Sequence, residues 1–185
     1  MAQRLELIAH GLAAGMRQSI FGDPGPLVDP AAIPPVEGRV QSWLRGPEIP
    51  CEETAAALGG AADAIDDLRS CDFGSWTGRA LAEIEAQDPT GLRQWLIDAQ
   101  ANPHGGESLG QLISRVGAVI DRRTWLDGRS VVVVSPLAVR AIVAHLLRAP
   151  AEVIFRIEVS PLGRVVASRS GDFWRVRFGV TAAAS

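Results

Sequence analysis

His10 follows an apolar run at residues 5–9 and is followed at once by Gly11. Imidazole is the side chain whose ordinary pKa lies nearest neutrality, so a His at such a strand-to-loop junction can take or give a proton. It reads equally as a residue hydrogen-bonded to its own backbone. Ser135 follows a second apolar run, residues 131–134, and precedes Pro136. Paired with His10 it would be a nucleophile beside its base, with Asp72 or Glu107 orienting the imidazole. Alone it is a turn serine or a hydrogen-bond donor to a ligand. Arg17 and Arg140 are candidate cations for the same rim, each also readable as half of a surface ion pair. Glu107, just ahead of Ser108, reads as well as a carboxylate favoured at a helix N-terminus.

What is missing narrows the chemistry. All 18 basic residues are Arg, and there is no Lys, so Schiff-base chemistry and Walker-type phosphate binding are excluded. The histidines are His10, His104 and His145, the cysteines Cys51 and Cys71. No spacing among them matches a metal site, and neither metal nor cofactor is expected. Two cysteines imply no disulfide framework, and a reducing cytoplasm is the expected location. Net charge is −3 with scattered arginines, which argues against nucleic-acid binding. Arg4 and Glu6 interrupt the N-terminus, and no apolar run approaches the ~18 residues of a membrane span, so neither a leader nor a membrane partner is expected.

The elements that must position these residues are readable from periodicity. The 185 residues predict one domain, residues 1–185. Strands are expected at 5–9, 40–44, 131–134, 156–159, 163–167 and 173–178. Four consecutive valines at 131–134 suit a strand buried on both faces, whereas 173–178 alternates and reads as a half-exposed edge. Helices are expected at 53–58, after the Asp88-Pro89 start, after the Ser108…Gln111 capping box, and at 137–147. The run after His10-Gly11 also predicts a helix, with Arg17 two turns in. Residues 22–35, with five prolines, predict a loop holding one short helical turn. His104 is expected exposed or structural, His145 at a core edge, and the five tryptophans mostly in the core, with Trp76 a candidate for the pocket mouth. Alternating strands and helices predict a three-layer α/β/α sandwich, mostly parallel, with an antiparallel edge strand. The C-terminal strand ends of such a sheet share one edge, so His10 and Ser135 should share a rim.

Through nearly its whole length the chain resembles the phosphoglycerate-mutase-like histidine phosphatase superfamily. His10-Gly11 sits where that family has Arg-His-Gly. Thr54-Ala-Ala-Ala-Leu58-Gly59 is similar to its Gln-Thr-Ala-Xaa-Xaa-Leu-Gly helix. The segment from Asp72-Phe73-Gly74 to Trp76-Thr77-Gly78 resembles Asp-Phe-Gly-Xaa-Trp-Xaa-Gly. Pro103-His104-Gly105-Gly106-Glu107-Ser108 resembles the Pro-Xaa-Gly-Glu-Ser turn, and Ser135-Pro136-Leu137-Ala138-Val139-Arg140 the His-Pro-Xaa-Val-Val-Arg segment. Each motif is weak, but all five in order make the expected fold specific.

The resemblance implies phosphoryl transfer through a phosphohistidine: one His attacks, two Arg and a second His surround the phosphoryl oxygens, and a Glu or Asp protonates the leaving group. Position by position, this sequence keeps the nucleophile, His10. Ala9 replaces the Arg before it, and Pro50 replaces the second Arg, four residues before Thr54. Ser70 stands for the acid and Ser135 for the second His, the register being set by Pro136 and Arg140. The family's Thr and Asn after the nucleophile are here Ala13 and Met16, and Glu52 and Glu53 add negative charge near the former clamp. Three readings follow. The first is a pseudoenzyme or repurposed protein that binds a small organic molecule rather than a dianionic phosphate. In it His10 is the acid/base, Ser135 its partner, and Arg17, Arg45, Ser70, Asp72, Glu107 and Arg140 the binding residues. The second is a working phosphomonoesterase whose clamp is relocated to Arg17 and Arg45. The third is a protein-interaction module, with a homodimer as the partner state.

Overall fold

The structure is a computed structural model that describes residues 3–22 and 25–179. One six-stranded sheet runs in the order β3 (Asp63–Ala64), β2 (Ser42–Arg45), β4 (Gly128–Val134), β1 (Gln3–Ala9), β5 (Arg164–Ser170), β6 (Phe173–Phe178). The first four strands are parallel, and β5 and β6 are antiparallel. The sheet is mostly parallel with an antiparallel edge, as expected: β5 runs against β1, and the edge strand β6 runs against β5.

Side-chain alternation divides the core between the two faces of the sheet. Leu5, Leu7 and Ala9 of β1, with Val132 and Val134 of β4, enter the larger core under α4 (Leu109–Arg122) and α5 (Pro136–Leu146). Ile8, Val131 and Val133 point to the opposite face, against Cys51 and Ala55 of α1 (Ile49–Ala57) and Leu58 that follows it. All four valines are fully buried, as a strand covered on both faces requires. Helix α4 begins with the Ser108–Gln111 capping box, and α3 (Pro89–Ile97) with the Asp88 cap, whose Oδ1 accepts from Gly91 N at 2.9 Å.

Three local expectations are corrected, and two elements were not foreseen. After His10 the chain forms only a five-residue 3₁₀ turn, Ala14–Gln18, because its backbone is engaged elsewhere: Ala14 N donates to Pro26 O and Val28 N to Leu12 O. Residues 156–159 form no strand. A 3₁₀ turn, Ala151–Arg156, occupies the start of that run, and β5 already fills the position beside β1. The short strand β3 and the helix α2 (Leu81–Gln87) were not anticipated; α2 is started by Glu83, whose carboxylate accepts from Ala80 N at 2.8 Å. Trp76, only 3% exposed, packs in the larger core rather than at a cavity mouth. In the expected loop 22–35 the 3₁₀ turn is Pro30–Ala32; residues 23 and 24 lie outside the described residues. Among the described residues no helix is long and apolar enough to cross a membrane.

Glu6 is the buried charged residue of β1, 3% exposed, whereas Arg4 on the same strand is exposed. It is held by Arg129 at 2.6 Å and Arg164 at 3.3 Å. Replacing it by Ala strands two guanidinium groups that still reach water. We therefore expect Glu6→Ala to lower unfolding stability by about 2 kcal/mol, below the ~3–5 kcal/mol of a fully buried pair. A urea midpoint unchanged from wild type would refute this.

Candidate functional site

Three chain segments leave the sheet at one edge. Ala9 pairs with Val134 across β1 and β4, so His10 and Ser135 are the first residues past two hydrogen-bonded strands. His10 N donates to Val134 O at 2.9 Å. On the far side of β4, Gly46 N donates to Val133 O at 2.9 Å, which brings Glu48 and the start of α1 to the same rim. The turn at residues 16–22, the segment around Ser70 and Phe73, and helix α3 close a cavity of about 440 Å³.

His10 is 2% exposed and its Nδ1 lies 2.8 Å from Gly11 O. A carbonyl only accepts, so Nδ1 carries the hydrogen and the neutral ring leaves the Nε2 lone pair free. Burial lowers the imidazole pKa, and it outweighs the upward pulls of the Gly11 carbonyl and of the Glu48 carboxylate. Gly11 N in turn donates to the buried Thr54 Oγ1 at 2.9 Å, tying this turn to α1.

Glu48 is the charged group that the sequence did not reveal. Its Oε1 accepts from Ser70 N and its Oε2 from Cys51 Sγ at 3.6 Å. Pro50, at the position of the expected second Arg, is buried in the first turn of α1. A signal was present in Pro47-Glu48-Ile49-Pro50: proline near the first helical position places Glu48 at the helix start, on the sheet edge. The aromatic wall was also unread. Phe21, Phe73 and Trp95 line the cavity, with ring centroids 4.9 Å apart for Phe21–Phe73 and 5.9 Å for Phe73–Trp95.

Of the residues singled out in the sequence, His10, Ser70, Ser135 and Arg140 line this cavity. Ser135 caps α5, its Oγ accepting from Ala138 N at 3.2 Å, which leaves its hydroxyl hydrogen free to donate. Among the described residues no hydrogen bond joins Ser135 to His10, and a backbone carbonyl, not Asp72 or Glu107, orients the ring. A Ser-His triad is therefore not assembled. Glu107 instead forks onto Arg115, at 2.8 and 2.6 Å, and Arg115 also donates to the carbonyls of Asp67, Arg69 and Ser70. Asp72 caps its own turn through Gly74 N at 2.8 Å. Arg45 is held by Glu52 at 2.9 Å, and Arg17 is exposed on the 3₁₀ turn; neither lines the cavity. His104 is buried against Trp76, with ring centroids 5.0 Å apart, and its Nδ1 accepts from Gly106 N at 3.1 Å. His145 pairs with Asp121 at 3.0 Å. Burial pushes the Cys71 thiol up to about 12 and raises that of Cys51 strongly, so neither is a ready nucleophile. Among the described residues no group of His, Cys, Asp and Glu is placed to hold a metal ion.

A model of the histidine phosphatase superfamily, branch 1, matches residues 41–180. The chain belongs to that superfamily. The bifunctional protein Rv2228c of Mycobacterium tuberculosis and the uncharacterized protein Mb2253c of Mycobacterium bovis are each 31% identical to it over 185 residues, 91% of this chain and 51% of theirs. The chain thus spans about half the length of the curated relatives it matches. Among solved structures it is similar to the alpha-ribazole phosphatase of Shigella flexneri, with TM-score 0.79, 19% identity, and 96% of this chain and 99% of that one covered. It also resembles the mycobacterial glucosyl-3-phosphoglycerate phosphatase Rv2419c, with TM-score 0.75, 21% identity and 100% of both chains covered. At these identities the structures establish the histidine phosphatase fold.

The neutral histidines of this histidine phosphatase fold have a thermodynamic consequence. His10 and His104 both titrate below the ordinary value of 6.5, for which burial is the leading cause. The unfolded chain therefore binds protons first as pH falls. Their contribution to stability is full above about pH 6.5 and is lost as pH drops toward the lower native values. We expect the melting temperature to fall between pH 7 and pH 5, and His10→Asn to flatten that slope. A variant with the wild-type slope would contradict the assignment for His10.

Proposed function

We propose that this chain no longer transfers phosphoryl groups and instead binds a small organic molecule in the cavity beside His10. One observation carries this reading: the charged group set against His10 at the rim is the Glu48 carboxylate. A phosphoryl dianion needs cations around its oxygens, and clamping by them supplies most of the catalysis. Two like unit charges about 4 Å apart repel by about 4 kcal/mol at an effective dielectric near 20, so a carboxylate at this rim opposes the dianion. Ala9 and Pro50 bring no compensating charge. The relocated-clamp alternative lacks its arginines, since Arg45 is engaged by Glu52 and Arg17 lies outside the cavity.

What remains suits a different ligand. The cavity is predominantly apolar, with an acceptor at His10 Nε2 and hydroxyl groups at Ser70 and Ser135. In this reading His10 is a general base or a ligand hydrogen-bond acceptor, and Ser135 donates to the same molecule.

Vanadate mimics the trigonal-bipyramidal phosphoryl and tests the clamp directly. A ligand that binds only the native state raises its stability by RT ln(1 + [L]/Kd). We expect no saturable rise in melting temperature with millimolar vanadate, and p-nitrophenyl phosphate turnover no greater than that of His10→Ala. A saturable vanadate shift, or turnover abolished by His10→Ala, would overturn the proposal.

A further inference from the structure

The Arg140 guanidinium lies half-buried on the cavity wall, and among the described residues it makes no ion pair and no hydrogen bond. Its Nε is buried without a partner. Four other half-buried arginines are satisfied: Arg45 by Glu52, Arg115 by Glu107, and Arg129 and Arg164 by Glu6. A second donor in the same wall, the Trp95 indole N–H, is also buried without a partner. By contrast the acceptor opposite, Glu48, is occupied by Ser70 N and Cys51 Sγ. The unmet hydrogen-bonding capacity of the α3–α5 wall is thus made of donors, one of them a cation.

We propose that the molecule bound beside His10 is an apolar monocarboxylate, its carboxylate forked onto Arg140 and its apolar body laid against Phe73, Leu92 and Leu137. The proposal rests on the reading of the cavity as a small-molecule site that has lost phosphoryl transfer. A planar carboxylate matches the guanidinium fork in geometry and neutralises it with one charge. A second negative charge has no cation to meet and faces Glu48 instead. Desolvation bears on the guanidinium more strongly than the opposing field of Glu158, so an incoming anion offsets a real cost. Leu81 and Leu96, both more than a third exposed at the mouth, extend the apolar path outward.

Three probes of one shape separate the possibilities: phenylacetate, phenylacetamide and phenyl phosphate, titrated calorimetrically into the whole chain. Phenylacetate is expected to bind at least tenfold more tightly than phenylacetamide. Arg140→Gln should erase that preference by weakening phenylacetate far more than phenylacetamide, and Arg140→Lys, which keeps the charge without the fork, should retain part of it. Far-UV circular dichroism checks that each variant is folded. Equal affinity for acid and amide, persistence of the preference in Arg140→Gln, or no binding by any probe overturns the carboxylate assignment; the loss of phosphoryl transfer stands in all three cases. Tighter binding of phenyl phosphate than phenylacetate, or its hydrolysis, overturns both.

Discussion

The hydrogen bond from His10 Nδ1 to the Gly11 carbonyl decides what the rest of the rim can do. It fixes the tautomer, turns Nε2 away from the backbone, and holds the ring without help from any side chain. It is set in place by the sheet: His10 N is bonded to Val134 O, and Gly11 N to Thr54 Oγ1. A Cβ at Gly11 would approach Ile33 Cδ1 at 3.1 Å and Leu27 Cδ2 at 3.2 Å, so those side chains would have to shift by a few tenths of an ångström to admit one. The imidazole is thus positioned by β1, β4 and α1 together, and its geometry does not depend on what charges surround it.

Those surrounding charges have been put to structural use. Arg115 joins α4 to residues 67–70 through three carbonyls and is itself held by Glu107. That clasp sets the backbone of Ser70 where its N–H meets Glu48, which begins α1. A Cβ on Gly106 would stand 2.3 Å from Asp72 O, so the turn before α4 and the 72–74 turn can close together only around a glycine. The carboxylates of Glu48 and Glu107 therefore link helices to the segment that walls the cavity. Removing either loosens the wall before it alters any chemistry.

The juxtaposition of His10 and Ser135 was legible in the sequence because it needs only two parallel strands and the rule that their C-terminal ends share an edge. The four valines and the capping signals of α3 and α4 were legible for similar reasons, each being a local pattern with one physical meaning. The turn after His10 was not, because its backbone partners at residues 26–28 are distant in sequence and override a helical composition. Residues 156–159 alternate like a strand, but the position beside β1 is taken by β5, which only the long-range pairing decides. Trp95 and the Glu107–Arg115 fork were missed for the same reason: each owes its place to contacts between segments, and nothing in the local sequence distinguishes them from a core aromatic and a helix-terminal charge, whereas Glu48 had a local helix-start signal in Pro47-Glu48-Ile49-Pro50 but owes its partners, Ser70 N and Cys51 Sγ, to the fold.

The substitutions at the rim also have a common thermodynamic direction. A pocket that gathers two arginines and two histidines carries mutual repulsion, a cost tolerated only for function. Here Ala9 is fully buried in the larger core, Pro50 sits at the start of α1 where a missing N–H costs nothing, and Ser135 caps α5. A serine cap is worth about 1 kcal/mol over a residue that cannot accept the hydrogen bond. Ala9, Pro50 and Ser135 thus serve packing or helix initiation, which is the direction expected on the proposed reading that the site no longer transfers phosphoryl groups. Arg140 runs against that direction. Its half-buried guanidinium has no partner among the described residues, a cost that the proposed carboxylate would offset.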